Sequence, residues 1–142
     1  MADEMLPMSE QSSILKAVFD FIQGEYENIQ FETLESKYTS LGLFSQQGSK
    51  YVRKDILGGF TGIIPFYISY RSSPQDDYNK IAMIDYLNTL SEWMLSQEYP
   101  SLTDNRTISL IEPTSIPFMD ELVENGTITY IQTFDIKYRK DV

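Results

Sequence analysis

Carboxylates are the only side chains in this sequence with the chemistry for catalysis or for holding a hard metal ion. The 142 residues include no cysteine and no histidine. That removes a thiolate nucleophile, a Cys/His zinc site, a Ser–His pair and an imidazole base. Among the acids, two clusters are tight: Asp76 with Asp77, and Asp120 with Glu121 and Glu124. A divalent cation needs several such oxygens converging on one point with open coordination positions. A carboxylate-only hydrolase needs two acids facing each other across a cleft. Acids in the first turn of a helix more commonly meet its dipole, and that is the ordinary reading of Asp76 and Asp77. The glycine-rich run Gly58-Gly59-Phe60-Thr61-Gly62 lacks the lysine and the following helix of a phosphate cradle. The expectation is no catalytic residue, no metal and no cofactor.

Charge narrows the partners. The formal net charge is −10. Residues 1–35 hold eight acids against Lys16, which is −7, and the rest hold thirteen acids against ten basic residues, which is −3. An acidic chain repels phosphate backbones, so specific nucleic-acid binding is not expected. The ten tyrosines, eight phenylalanines and one tryptophan suit core and contact surfaces. As base-stacking platforms they would need a basic groove. No apolar run approaches the roughly 18 residues of a membrane span, and the acidic N-terminus lacks the order of a signal peptide. The cytosol is the default compartment.

Stepping along the chain, 1–142 reads as one domain, with 1–8 as a flexible arm. Ser9 to Gln23 has helical spacing, with Ile14, Leu15, Val18, Phe19 and Ile22 on one side. Ser9 can cap its start and Gly24 its end. Ile29 to Leu34, Leu41 to Gln46 and Lys50 to Ile56 read as short strands. Phe60 to Arg71 alternates strictly, but Pro65 cannot donate to a ladder. That strand lies at an edge, carries a bulge, or leaves its middle unpaired. A second helix runs from about Asp76 to Gln97, with the stripe Ala82, Met83, Tyr86, Leu87, Leu90, Trp93 and Met94. Ile81, Ile84 and Leu95 lie nearly opposite and need another neighbour. Arg106 to Glu112 is a strand, with Ile108 and Leu110 on one face. Pro113 to Asn125 is a connector with a helical turn at Met119 to Val123.

The last run, Thr127 to Arg139, is the strongest signal. Ile128, Tyr130, Phe134, Ile136 and Tyr138 share one face, and only Ile131 is out of step. At roughly 3.3 Å per residue it extends about 40 Å. A helix, a strand-rich middle, a second helix and closing strands make an α+β domain, a mainly antiparallel β-sheet packed against two α-helices.

This order of pieces resembles the minor capsid/tail-completion proteins of tailed phages and prophages of Gram-positive bacteria, which are similar in architecture to lambda-type tail terminators. The residues that carry the resemblance are Gly58-Gly59-Phe60-Thr61-Gly62 leading into Ile64-Pro65-Phe66-Tyr67-Ile68-Ser69-Tyr70-Arg71, the helix from Asp76 to Trp93, and Thr129 to Tyr138. The resemblance implies a structural virion protein of the tail and neck, present in the host cytoplasm before assembly. It implies a self-associated, often hexameric ring on the last tail-tube subunits that meets the head-completion protein while DNA passes through. It also implies no cofactor. A head–tail adaptor or head-completion protein is the alternative within that setting, and a small acidic hydrolase is the alternative outside it. With a ring in view, Ile81, Ile84, Leu95 and Tyr67 are the expected subunit contacts. Glu25, Glu27, Asp76 and Asp77 are the expected acidic wall of the lumen. The edge of the long last strand is a place for a neighbour to add.

Overall fold

The computed structural model describes residues 4–32, 34, 39–73, 77–122 and 126–142, and in Glu121 and Leu122 the backbone alone. Two strands form its axis, β4 (Phe60–Ser72) and β7 (Ile128–Lys140), each of 13 residues. They pair antiparallel along their whole length, from Phe60 opposite Lys140 to Ser72 opposite Ile128. Period-2 alternation puts Ile64, Phe66, Ile68, Phe134, Ile136 and Tyr138 on one face, where all are buried. Phe66 stacks on Phe134 across the pair, with centroids 5.1 Å apart.

Each long strand has its outer side covered in two pieces. β2 (Ser40–Ser45) and β3 (Lys50–Lys54) follow one another along β4, and β5 (Arg106–Pro113) and β6 (Phe118–Leu122) follow one another along β7. The short β1 (Ile29–Phe31) adds parallel to β2, giving the order β1-β2-β4-β7-β5. The break between β2 and β3 leaves Ile64 and Pro65 without a strand partner on that side. Pro65 has no N–H to leave unmet there, so an unpaired middle is the outcome realised. The break between β5 and β6 is closed by hydrogen bonds. Thr114 N donates to Thr133 O at 2.8 Å, Thr133 N to Ser115 Oγ at 3.1 Å, and Gln132 Nε2 to Ser115 O at 3.0 Å.

Both helices, α1 (Met8–Gln23) and α2 (Asp77–Ser96), pack on the buried face. α1 contributes Ile14, Leu15, Val18 and Ile22, and α2 contributes Met83, Leu87, Leu90 and Met94. The result is an α+β fold with a mostly antiparallel sheet of seven strands, open on its second face.

The structure departs from the sequence reading in several places. Residues 4–7 are docked rather than loose: Leu6 is 1% exposed, Tyr51 N donates to Glu4 O at 3.0 Å, and Glu4 pairs with Lys54. Helix α1 therefore starts at Met8, with Pro7 as its cap in place of Ser9. The Pro7 carbonyl accepts from Glu10 N and Gln11 N at 3.0 and 3.2 Å. Gly24 does cap the other end. β1 stops at Phe31 because Glu32 turns to φ 59°. In β5 a bulge between Ile108 and Leu110 shifts the phase, so Ile111 is buried beside Ile108 and Leu110 is not. The connector expected to hold a helical turn is strand β6, whose alternation another bulge, between Met119 and Glu121, obscures. β7 consequently has partners on both sides, and its edge is not free for a neighbour.

Candidate functional site

The expected contact residues separate once the fold is known. Ile81 and Leu95 on α2 are 54% and 47% exposed. Ile84 is half-buried and packs against the core of its own chain, so it is not waiting for a partner. The reason is the orientation of α2, which buries Met83, Leu87, Leu90, Ser91 and Met94 and leaves Ala82 exposed. Ile84 thereby rolls inward at one flank while Tyr86 and Trp93 do so at the other. Trp93 stacks on Phe21 at 5.0 Å and meets Tyr26 edge-on at 5.6 Å.

Tyr67 lies on the open sheet face, half-buried and stacked on Phe44 at 5.1 Å with the rings within 7° of parallel. Burial, then Asp120 and Glu32, push its hydroxyl above the ordinary tyrosine range. On the same face Lys137 pairs with Glu112 at 2.6 Å, and Asp135 sits beside them. Burial and then Glu112 raise the Asp135 carboxyl, against the opposing pull of Lys137 and Lys50. Polar pairs and aromatic stacking thus share the open face of the sheet.

The acids expected to line a channel fall partly within the described residues. Glu25 and Glu27 are exposed just after α1. They border a hollow with Tyr86, which stacks on Tyr70 at 4.4 Å. Burial, then Tyr70 and Tyr26, push the Tyr86 hydroxyl up to about 12. Asp77 is exposed at the start of α2 and pairs with Lys80 at 3.6 Å. Tyr70, Ser73 and Tyr86 border the hollow beside that helix start. Glu25 and Glu27 thus share one hollow with Tyr86, while Asp77 stands at the start of α2, nine residues before Tyr86. Asp76 and Glu124 lie outside the described residues. Asp120 is exposed on β6, and among the described residues no group of three or more acids is arranged to hold a metal ion.

The end of the sheet where β7 finishes is basic. Lys50, Arg53, Lys54, Lys137, Arg139 and Lys140 lie on β3 and the end of β7, six of the chain's eleven basic residues. Most meet acids there. Arg139 pairs with Asp55 and Asp141 at 2.8 and 2.7 Å, and Arg53 approaches Asp55 at 3.8 Å. Beneath this end α1 is clamped to the sheet. Glu10 binds Arg106 at 3.0 Å and accepts from the Tyr138 hydroxyl at 3.1 Å. None of these three is legible as a cluster, because 96 residues separate Glu10 from Arg106.

Two further apolar features lie on the described surface. A groove of about 600 Å³ runs between α1 and the β1 margin of the sheet, with Met8, Leu15, Phe19 and Phe31 as its apolar lining. At the basic end, the β3–β4 turn carries Ile56 fully exposed and Leu57 at 81%. The one signal for that turn is two aliphatic residues set between Lys54-Asp55 and Gly58-Gly59.

Neither protein-family models nor curated proteins yield a match to the chain. Its fold is shared with a chain of the solved structure "Virion of native gene transfer agent (GTA) particle". The likeness covers 91% of this chain and 93% of that one, at 10% identity and a TM-score of 0.56. At that identity the likeness is one of fold.

Proposed function

We propose that this protein is a structural virion component, a tail-terminator or tail-completion subunit. In this reading copies form a ring that caps the tail tube and meets the head-completion protein, and no catalytic step or cofactor is involved. One observation carries the proposal: nearly the whole chain shares its fold with nearly the whole of a virion chain. The element order that resembles tail-completion proteins supports the finer assignment.

The surface suits such a ring. Ile81 and Leu95 remain exposed on α2 and are available to a neighbouring copy, and Tyr67, stacked on Phe44, lies on the other face of the sheet. Six copies at −10 each would carry −60. With Glu25, Glu27, Asp76 and Asp77 turned to the lumen, DNA would pass without the drag that phosphate-binding groups impose. The protein would reside in the host cytoplasm before joining the tail and neck of the particle.

Native mass spectrometry and electron microscopy of the purified chain with purified tail tubes test this. The expected result is a ring, six copies by the resemblance, seated on tube ends that then stop elongating. Ile81→Asp should weaken the ring while the far-ultraviolet spectrum stays native. A chain that remains monomeric in the presence of tubes, with tube growth unchanged, overturns the reading.

A further inference from the structure

The turn between β3 and β4 is built to hold Ile56 and Leu57 in water. Asp55 N donates to Gly59 O at 2.7 Å, and Gly58 N donates to Asp55 O at 3.1 Å. Gly58 takes φ 102°, which a side chain disfavours. A Cβ on Gly59 would lie 3.0 Å from Lys140 O, so the turn sits tight against the end of β7. Arg139 grips Asp55 from that strand. The backbone is thus held while its two largest side chains, Ile56 and Leu57, stand exposed. Ordering of an exposed apolar pair before contact lowers the entropy lost when a partner binds.

The groove offers the complementary shape and charge. Phe19 and Phe31 meet edge-on at 5.5 Å in its lining, with Leu15 beside them. Its volume of about 600 Å³ falls within the roughly 300–1,000 Å³ of clefts that enclose a small ligand, ample for two aliphatic side chains. The segment that builds it, residues 8–32, carries Glu10, Asp20, Glu25, Glu27 and Glu32 against Lys16 alone. The strands that flank the tip carry six basic residues within 50–54 and 137–140, of which Arg53 and Arg139 share Asp55, Arg139 also meets Asp141, and Lys54 pairs with Glu4. Because Ile56 and Leu57 are exposed, a copy does not fill its own groove.

We propose that the Ile56–Leu57 tip of one copy seats in the groove between α1 and β1 of the next copy, with Arg53 and Lys54 set against the acidic rim at Asp20 and Glu32. The contact joins two different surfaces of the same chain, so it repeats head to tail and closes into a ring when the rotation permits. It rests on the ring reading for its partner, a second copy, and deepens that reading by naming the surfaces that meet.

The absence of cysteine makes the test direct. Leu57→Cys in one sample and Ser12→Cys in another, at the exposed Ser12 of the groove, are mixed at assembly concentration under mild oxidation. A disulfide needs Cβ atoms within about 4.5 Å, so it reports that seating. The expected product is a mixed dimer, with neither variant cross-linking to itself. Leu57→Cys mixed with Ser109→Cys, on the exposed margin of β5, should give none. Leu57→Asp should lower ring formation about tenfold or more, the loss typical of an interface anchor. Raised ionic strength should reduce the mixed product, as contact between a basic and an acidic surface requires. Rings in native mass spectrometry without the mixed disulfide overturn this contact and leave the ring standing. The mixed disulfide without rings upholds the contact and counts against the ring. Self-linked Leu57→Cys dimers in place of the mixed product overturn the head-to-tail arrangement.

Discussion

Glu10 is the residue whose removal should cost the fold most for a single carboxylate. It is 7% exposed, and its carboxylate binds Arg106, whose side chain is 9% exposed. One oxygen accepts from the Tyr138 hydroxyl and the other meets Arg106 at 3.0 Å, with Lys140 at 3.9 Å. Glu10→Ala strands a buried guanidinium, a change that ordinarily costs about 3–5 kcal/mol. Arg106 keeps Ser13 at 3.0 Å and the largely exposed Asp104 at 3.4 Å, so the lower end, about 3 kcal/mol, is expected. Glu10→Gln retains an acceptor for Tyr138 and loses the charge. That is the difference between a charge-assisted and a neutral hydrogen bond, about 1–2 kcal/mol. Glu10→Ala with Arg106→Met removes both charges together and should recover most of the loss. Urea unfolding followed by circular dichroism reads all of this as shifts of the midpoint at constant slope. A double variant that recovers none of the Glu10→Ala loss would refute the charge account. A loss for Glu10→Ala below about 1 kcal/mol would show that the pair is hydrated in solution.

Three further outcomes follow from the same structure. Gly62→Ala puts a Cβ 3.0 Å from both Leu6 Cδ1 and Tyr138 Cε1, so it should cost about 1–3 kcal/mol by overpacking. Combining it with Leu6→Ala should give less than the sum in urea unfolding if the clash is with that side chain. Trp93→Ala should cost about 3 kcal/mol, the lower end for large aromatics, because Trp93 is half-buried against Phe21 and Tyr26. A melting temperature that does not move would place Trp93 outside the packed cluster. For Asp135 the sign runs against the usual carboxylate. Its folded value is raised by burial and Glu112, so the native state holds the proton more tightly than the unfolded chain. Stability is then lost as pH rises from about 3.9 through the raised folded value. Asp135→Asn should therefore gain on the wild type in melting temperature over that acid range, and a pH-independent difference would contradict it.

Much of the fold is legible in the sequence because burial repeats with a fixed period. β4 and β7 alternate over 13 residues each, and the structure pairs them along their full length. α1 shows its buried stripe directly, since Ile14, Leu15, Val18 and Ile22 recur at helical spacing. Legibility fails where one extra residue breaks the period. The bulge between Ile108 and Leu110 moves the second buried position to Ile111, and the bulge beyond Met119 hides β6 among acids. The docking of Leu6 is also invisible, because a lone leucine beside Pro7 carries no period at all. Its place is set by Gly62, 56 residues later, which leaves room above the Tyr138 ring.

The surfaces that would carry assembly obey a different constraint, which explains why α2 misleads. A helix packed on one side needs a single apolar stripe, and in the sequence Ile81, Ile84 and Leu95 read as a second one. The helix orientation divides that set: Ile84 joins the intramolecular core, while Ile81 and Leu95 stay in water. A pattern three residues strong on a wheel becomes two isolated side chains, and isolated exposed apolar residues are ordinary on any surface. The Ile56–Leu57 turn is the reverse case. No periodicity marks it, yet hydrogen bonds across the turn, the Arg139–Asp55 ion pair and a glycine at positive φ hold both side chains outward. Exposure alone says little about contact, whereas exposure on an already ordered backbone lowers the entropy lost when a partner binds. Rigidity of the flanking structure, more than apolarity, therefore separates the tip from the α2 residues as the stronger candidate for a docking element.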